Sequence, residues 1–181
     1  AEISPILLSD HGMSAVSPRQ FIDTNTLPRP KGFRRVNSST RVMYYRRDPE
    51  ADVAALAATL REASNGRYRV VSEETLAERH YENHPAVAEL IIETDPPRLF
   101  RHGGAQGPDL RGMHGYPATV QDMAAFLVAI GPGFAAGKVI PAAHQLDVYP
   151  IAATLLDLPL PKGIVSHGGA LRDALVRPIR E

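Results

Sequence analysis

The run Ile3-Ser4-Pro5-Ile6-Leu7-Leu8 is nearly continuous in apolar side chains and stops at once in a polar cluster, Ser9-Asp10-His11-Gly12-Met13. A strand with one wet face alternates apolar and polar residues. An unbroken apolar run suits a strand covered on both faces, as in a parallel sheet between layers of helices. In open α/β sheets ligands bind beyond the carboxyl ends of the strands, which is where Asp10 and His11 stand. A buried strand of this kind is rarely the first element of a complete α/β domain, and no initiator Met precedes it. The expectation is therefore a chain that starts mid-protein.

With 181 residues the chain is long enough for one domain with a sizeable core. Twenty basic and twenty acidic residues balance to a net charge of +0, which gives no electrostatic reason to expect a nucleic-acid polymer or an anionic membrane as partner. No apolar stretch is long enough to cross a bilayer, and the first residues lack the basic-then-apolar pattern of a signal peptide. Cysteine is absent, so a metal would have to be held by His, Asp, Glu or hydroxyl groups, and the seven histidines become the residues to weigh.

Further along, Phe21-Ile22-Asp23 reads as a short strand and Val42 to Tyr45 as another. Asp48-Pro49 predicts a helix start, with Asp48 as N-cap and an apolar face of Val53, Leu56, Ala57, Leu60 and Ala63. Asn65-Gly66 ends that helix. Tyr68 to Val71 is strand-like, Glu73 to His80 reads as a short helix, and Ala88 to Glu93 as a strand closed by Asp95-Pro96-Pro97. After a Gly-rich loop, Gly103 to Gly115, Thr119 and Asp122 have capping-box spacing ahead of a stripe of Val120, Met123, Ala124, Leu127 and Ile130, which predicts a helix stopped by Gly131-Pro132. Lys138 to Ile140 is a possible strand, and Asp147 is expected to cap a last helix with Val148, Ile151, Ala152, Leu155 and Leu158 on its apolar side.

Two short strings carry chemistry. Asp10 and His11 offer a carboxylate and an imidazole, both ligands for Zn²⁺, beside a glycine that lets backbone approach closely. His114, in Gly112-Met113-His114-Gly115-Tyr116, lies in a loop before a capped segment. Taken singly, the first is also what a polar strand-end turn looks like, and the second what a solvated loop looks like.

Taken together and in order, they resemble a known family. Ser9-Asp10-His11-Gly12-Met13 resembles the strand-end motif of the nucleotide pyrophosphatases/phosphodiesterases (type I phosphodiesterases), within the alkaline phosphatase superfamily, and Met113-His114-Gly115-Tyr116 resembles their later histidine motif. The family carries an insertion of similar length between the two. Asp122-Met123-Ala124-Ala125-Phe126, Gly131-Pro132-Gly133-Phe134, Gly137-Lys138, Asp147-Val148-Tyr149-Pro150 and Leu155-Leu156-Asp157-Leu158 continue the likeness to about residue 160. The resemblance implies an α/β fold: part of an alkaline-phosphatase-like, mostly parallel sheet with flanking helices, interrupted by a small inserted α+β lobe. Residues 1–14 would be the core strand and first metal motif, 15–105 the lobe, and 106–181 the return to the core with the second motif.

The resemblance also implies roles. Asp10 and His11 would bind the metal that holds the nucleophile, and His114 a second metal, both ions most often zinc. The substrate would be a small phosphodiester or nucleotide. The family's nucleophile, a Thr or Ser, and its remaining ligands lie N-terminal to the first motif, so no catalytic nucleophile is expected in this chain. By itself the chain is expected to be inactive, its partner being the missing N-terminal half of the same protein. Family members work outside the cytoplasm, which implies a periplasmic or secreted location. Pro117 stands where many relatives have Asp, which touches a second-shell or substrate contact and not the His ligand. Phosphomonoesterases, phosphonate hydrolases, sulfatases and phosphoglycerate mutases share the same superfamily core and remain rivals, as does a non-catalytic binding domain.

The other histidines read more plainly. His80 and His84 have ligand spacing on a helix, but Asn83 and Pro85 oppose a helix there. His102 and His167 precede Gly-Gly turns, and His144 precedes a helix cap. The basic cluster Arg34-Arg35, Arg41 and Arg46-Arg47 reads first as a solvated strand face, and second as a contact for phosphate.

Overall fold

The computed structural model describes residues 3–81, 84–103 and 110–179. Asn83 and residues 104–109 of the expected Gly103–Gly115 loop, with the expected lobe boundary at residue 105, lie outside the described residues. The chain forms two units, one of residues 1–10 with 125–181 and the other of residues 11–124.

In the first unit, β1 (Ile6–Leu8) pairs antiparallel with β10 (Leu127–Ala129), Leu7 opposite Val128. The expected helix after Thr119 is therefore not formed. Its segment makes a 3-10 turn at Gln121–Met123 and then enters β10. The helical spacing of Val120, Met123, Leu127 and Ile130 loses to strand pairing, since the backbone groups of Leu127–Ala129 find partners on β1 and the segment needs no internal ladder. The strand expected to be buried on both faces has Leu7 63% and Leu8 36% exposed in this chain, because β1 has one described strand neighbour. Helix α3 (Val148–Leu155) buries Pro150, Ile151 and Ala153. Ile151 and Leu171 meet Ile6, Leu127, Phe134 and Val148 around an apolar cavity of ≈ 30 Å³. Lys138–Ile140 forms no strand, and Val139 is 90% exposed.

Asp147 precedes α3 but makes no capping bond to it. Its buried carboxylate instead accepts from the Ser166 hydroxyl and, at 2.9 Å, from the His144 backbone N–H. The cap expected from sequence is thus a clamp on the flanking loops.

In the second unit, β4 (Phe33–Asn37), β5 (Arg41–Arg46), β7 (Leu90–Glu93) and β6 (Arg69–Val70) form an antiparallel sheet in the order β4-β5-β7-β6. Helix α1 (Val53–Ser64) covers it, burying Leu56, Ala57 and Leu60 against Val42, Tyr44 and Ile92. The helix is capped by Asp52, whose carboxylate accepts from Ala55 N–H at 2.9 Å, four residues after the expected Asp48. Asp48 holds the preceding turn, accepting from Glu50 N–H at 3.0 Å, a local bond that Asp makes in competition with helix. Asn65 ends α1 in the left-handed conformation (φ 45°). Helix α2 (Glu73–Glu78) is capped by Ser72 and stops before His80, whose φ is 56°, so His80 and His84 share no helical face. The strands β2 (Ser14–Ala15) and β9 (Gly112–Met113) pair antiparallel, and β3 (Ile22–Asp23) and β8 (Phe100–Arg101) pair in parallel. Among the described residues that last pair is the one parallel pairing.

A polar knot closes the far edge of the four-stranded sheet. Glu93, 3% exposed, accepts from Arg69 Nη2 at 2.8 Å and from Arg79 Nη1 at 2.9 Å, and Arg69 also reaches Asp95. Burial pushes the Glu93 carboxyl up, but the hydrogen bonds and charges of Arg79 and Arg69 outweigh it and hold the group below its ordinary value.

Candidate active site

The β2–β9 pairing sets Ser14 opposite Met113. This register brings the residues just before Ser14 alongside those just after Met113, and so joins two motifs a hundred residues apart in sequence. The outcome is a pair of stacked imidazoles: the His11 and His114 rings have centroids 3.8 Å apart and planes 7° from parallel. His11 is half-buried and His114 exposed.

Each side of the pair is fixed from below. Gly12 donates its N–H to the Met123 carbonyl at 3.1 Å. A Cβ at Gly12 would fall on the Asp122 carbonyl oxygen and lie 2.9 Å from that of Ala124, so only glycine lets the motif seat against this turn. Ser14, fully buried, donates its hydroxyl to the Asp122 carboxylate at 2.9 Å. That contact explains why Asp122 caps nothing: its carboxylate is committed to the strand beside the first motif.

The second motif is held by its carbonyl and its tyrosine. Gly115 has φ 89°, and its carbonyl accepts from Thr40 Oγ1 at 2.7 Å and from Arg41 Nη2 at 3.0 Å. Tyr116 is buried and donates its hydroxyl to the Arg98 carbonyl at 2.7 Å. Burial, with a contribution from the Asp95 charge, pushes its phenol up to about 12, so it stays a neutral donor. Tyr116 belongs to the second motif read from sequence, whereas Ser14 and Thr40 shape the site without being legible as site residues. Arg41 was legible only as one of a basic cluster, and only the tertiary fold brings it and Thr40 to the loop.

The His11 Nδ1 lies 2.8 Å from the Gly12 carbonyl oxygen. A carbonyl can only accept, so Nδ1 is the donor in this contact, which orients the ring. The lone pairs of an imidazole lie in the ring plane. An ion cannot lie in both of two stacked, nearly parallel planes, so one ion cannot take both rings as they stand. Neutral imidazole is a donor type that fits Zn²⁺, and the arrangement suits one ring per ion. Asp10 follows β1 at the end of the other unit and is exposed. Among the described residues no three His, Asp or Glu side chains are gathered as a metal cage. His80, His84, His102, His144 and His167 are all exposed.

The family model described as type I phosphodiesterase / nucleotide pyrophosphatase matches residues 2–117, a span that contains both motifs. The chain belongs to this family. A curated relative, bis(5'-adenosyl)-triphosphatase enpp4 of Xenopus laevis, is 24% identical over 157 residues, covering 86% of this chain and 33% of its own length. Human ectonucleotide pyrophosphatase/phosphodiesterase 5 superposes with a TM-score of 0.81 at 23% identity, over 96% of this chain and 46% of its own. The murine protein of the same name, solved as an inactive variant in complex with AMP, superposes with a TM-score of 0.75 at 22% identity, over 95% of this chain and 45% of its own. This phosphodiesterase-family chain therefore has the fold of those domains and is α/β, and it spans a third to a half of the length of the relatives it matches. Among the described residues its strand pairings are antiparallel apart from β3 with β8.

Proposed function

We propose that the protein to which this chain belongs is a metal-dependent hydrolase of phosphodiester or pyrophosphate bonds in nucleotides or related small molecules. The single observation that carries this reading is the convergence of His11 and His114, from two distant family motifs, on one stacked pair. In this reading Asp10 and His11 serve one divalent ion and His114 a second, zinc being the ion that the donor set suits. Such ions, when bound, supply an acidified nucleophile and a clamp for phosphoryl oxygens.

The residues of this chain have supporting parts. The Gly12 carbonyl accepts from His11 Nδ1 and orients the ring, which leaves Nε2 as the nitrogen that would serve an ion in this reading. Ser14 and Asp122 fix the strand that carries His11, and Thr40 and Arg41 fix the loop that carries His114. No Ser or Thr takes the role of nucleophile in this reading. The nucleophile and the other ligands belong to sequence N-terminal to the first motif, and that segment is the partner this chain needs to be active. The exposed pair Leu7 and Val128, opposite each other on β1 and β10, supports such a partner, because apolar cross-strand pairs are ordinarily covered. The AMP bound to the murine relative supports a nucleotide substrate. The site of action proposed is outside the cytoplasm, periplasmic or secreted, in keeping with the naming of the solved neighbours as ectoenzymes. Residues 15–105 are proposed as the inserted lobe and residues 1–14 and 106–181 as core.

His114→Ala tests the reading in the complete protein. The expected result is the loss of one of about two zinc ions and a fall in the rate of chromogenic phosphodiester hydrolysis by roughly a hundredfold or more. His84→Ala, in a turn remote from both motifs, should leave metal and rate as they were. Retention of full metal content and rate in His114→Ala would overturn the assignment.

A further inference from the structure

The Arg34-Arg35 pair on β4 has no part in the proposed hydrolase site, and the fold splits its two members. Alternate strand residues point to opposite faces. Arg34 sits 4.9 Å from the Tyr45 ring on one face. Arg35 lies opposite Tyr44, and Asn37 opposite Val42, so Phe33, Arg35 and Asn37 share the face on which Tyr44 and Val42 are buried. Helix α1 covers this face at Val42 and Tyr44, and β4 is the sheet's edge strand. A groove of ≈ 340 Å³ opens there, lined by Arg29, Pro30, Phe33, Arg35, Asn37 and Tyr44. That volume lies at the small end of the range for small-molecule sites.

The groove is a held shape. The Pro28 carbonyl accepts from the Tyr44 hydroxyl at 3.1 Å, and the Leu27 carbonyl from Arg35 Nη1 at 3.2 Å, which ties the Arg29 loop to the strand. Burial pushes the Tyr44 phenol up to about 12, so it adds no negative charge. Arg29 reaches Asn25 Oδ1 at 3.3 Å. No carboxylate lines the groove, and neither Arg29 nor Arg35 forms a salt bridge among the described residues. Two arginines, each with guanidinium donors beyond the one given to the Leu27 carbonyl or Asn25, thus line one concavity with a neutral amide and an aromatic ring beside them. Planar forks of this kind match phosphoryl oxygens bidentately.

We propose that this groove binds a small organic phosphomonoester, with Arg29 and Arg35 on the phosphoryl oxygens and Phe33 under the flat or apolar part. The site is separate from the His11–His114 pair and does not depend on the hydrolase reading. An inward-pointing Arg on an edge strand has a competing explanation, the blocking of strand addition by another chain, and the test separates the two.

Phenyl phosphate is titrated calorimetrically into the intact protein in EDTA, so that no bound metal can hold the phosphate. Saturable one-to-one binding is expected, weakened by about tenfold or more in Arg29→Gln and in Arg35→Gln. Arg35→Lys, which keeps the charge and loses the fork, should fall between, and Lys138→Gln, which removes an exposed charge in the other unit, should bind as the parent does. Inorganic phosphate, with nothing to lay on Phe33, should bind more weakly than phenyl phosphate. Circular dichroism verifies that each variant is folded. Absence of saturation at millimolar phenyl phosphate, or equal affinity in the two Gln variants and the parent, would refute the proposal. Self-association of Arg35→Gln with unchanged affinity would assign Arg35 to edge protection instead.

Discussion

Gly12→Ala is the smallest change that should disable the candidate site without touching a ligand. The glycine's φ is unexceptional, so the effect is steric and not conformational. The added methyl would lie within the van der Waals radius of the Asp122 carbonyl oxygen and 2.9 Å from the Ala124 carbonyl oxygen, both backbone atoms that no rotamer change can move. Restoring ordinary contact requires the His11–Gly12 segment and the 122–124 turn to part by roughly 1 Å or more. That separation breaks the Gly12 N–H bond to the Met123 carbonyl, now 3.1 Å. Overpacking of a tight site costs about 1–3 kcal/mol and the lost bond about 1 kcal/mol, so a destabilisation of about 2–4 kcal/mol is expected. For a unit of this size that is a fall in melting temperature of roughly 10–20 °C. His11 moves with the backbone, so zinc affinity should drop as well. Thermal unfolding followed by circular dichroism, with zinc titration on the same samples, reads both effects. Gly66→Ala provides the comparison: its φ is 69° but its Cβ would meet nothing within 4 Å, so the cost there should be only about 1 kcal/mol of backbone strain. An unchanged melting temperature and zinc affinity in Gly12→Ala would mean that the two motifs are not seated on the 122–124 turn as described.

Other consequences concern the supports and the fold. Glu93→Gln should destabilise the second unit by about 2–4 kcal/mol at pH 7, the lower part of the range for a broken buried pair because Arg69 and Arg79 are themselves partly solvated; urea unfolding that shows less than about 0.5 kcal/mol would contradict the network. Since the folded Glu93 carboxyl titrates below its ordinary value of 4.5, its contribution is complete above that value and disappears as pH falls through the lower folded one, so the variant's acid limb should be flatter than the parent's. Thr40→Val removes one of two donors to the Gly115 carbonyl and should cost about 1 kcal/mol with a larger effect on metal binding at His114 than at His11, separable by zinc stoichiometry. Asp52→Ala should cost about 1 kcal/mol of stability through the lost α1 cap, and Asp48→Ala distinctly less; the reverse order would restore the cap to Asp48.

Where residues act through neighbours in sequence, their structure was legible. The apolar face of α1, its stop at Asn65, and the strands around Val42–Tyr45 and Leu90–Glu93 follow from spacing, propensity and turn chemistry, whereas the two histidine motifs were legible through their resemblance to the family. Three of the misread elements had a local signal that a distant partner overrode. Leu127–Ala129 has helical spacing but pairs with β1, Asp122 has a capping position but serves Ser14, and Asp147 precedes a helix but binds Ser166 and the His144 backbone. In each case one set of backbone or carboxylate atoms had two possible partners, and a winning one, β1, Ser14 or Ser166, lies far along the chain. The same holds for the site. The sequence by itself determined the family and singled out Asp10, His11 and His114 as the candidates for a metal. Only the tertiary structure, through the β2–β9 register and the bonds of Thr40 and Arg41 to Gly115, decided that His11 and His114 stand face to face. Pairing register and hydrogen bonds across long chain separations are set by the whole packed unit, not by any local stretch of residues.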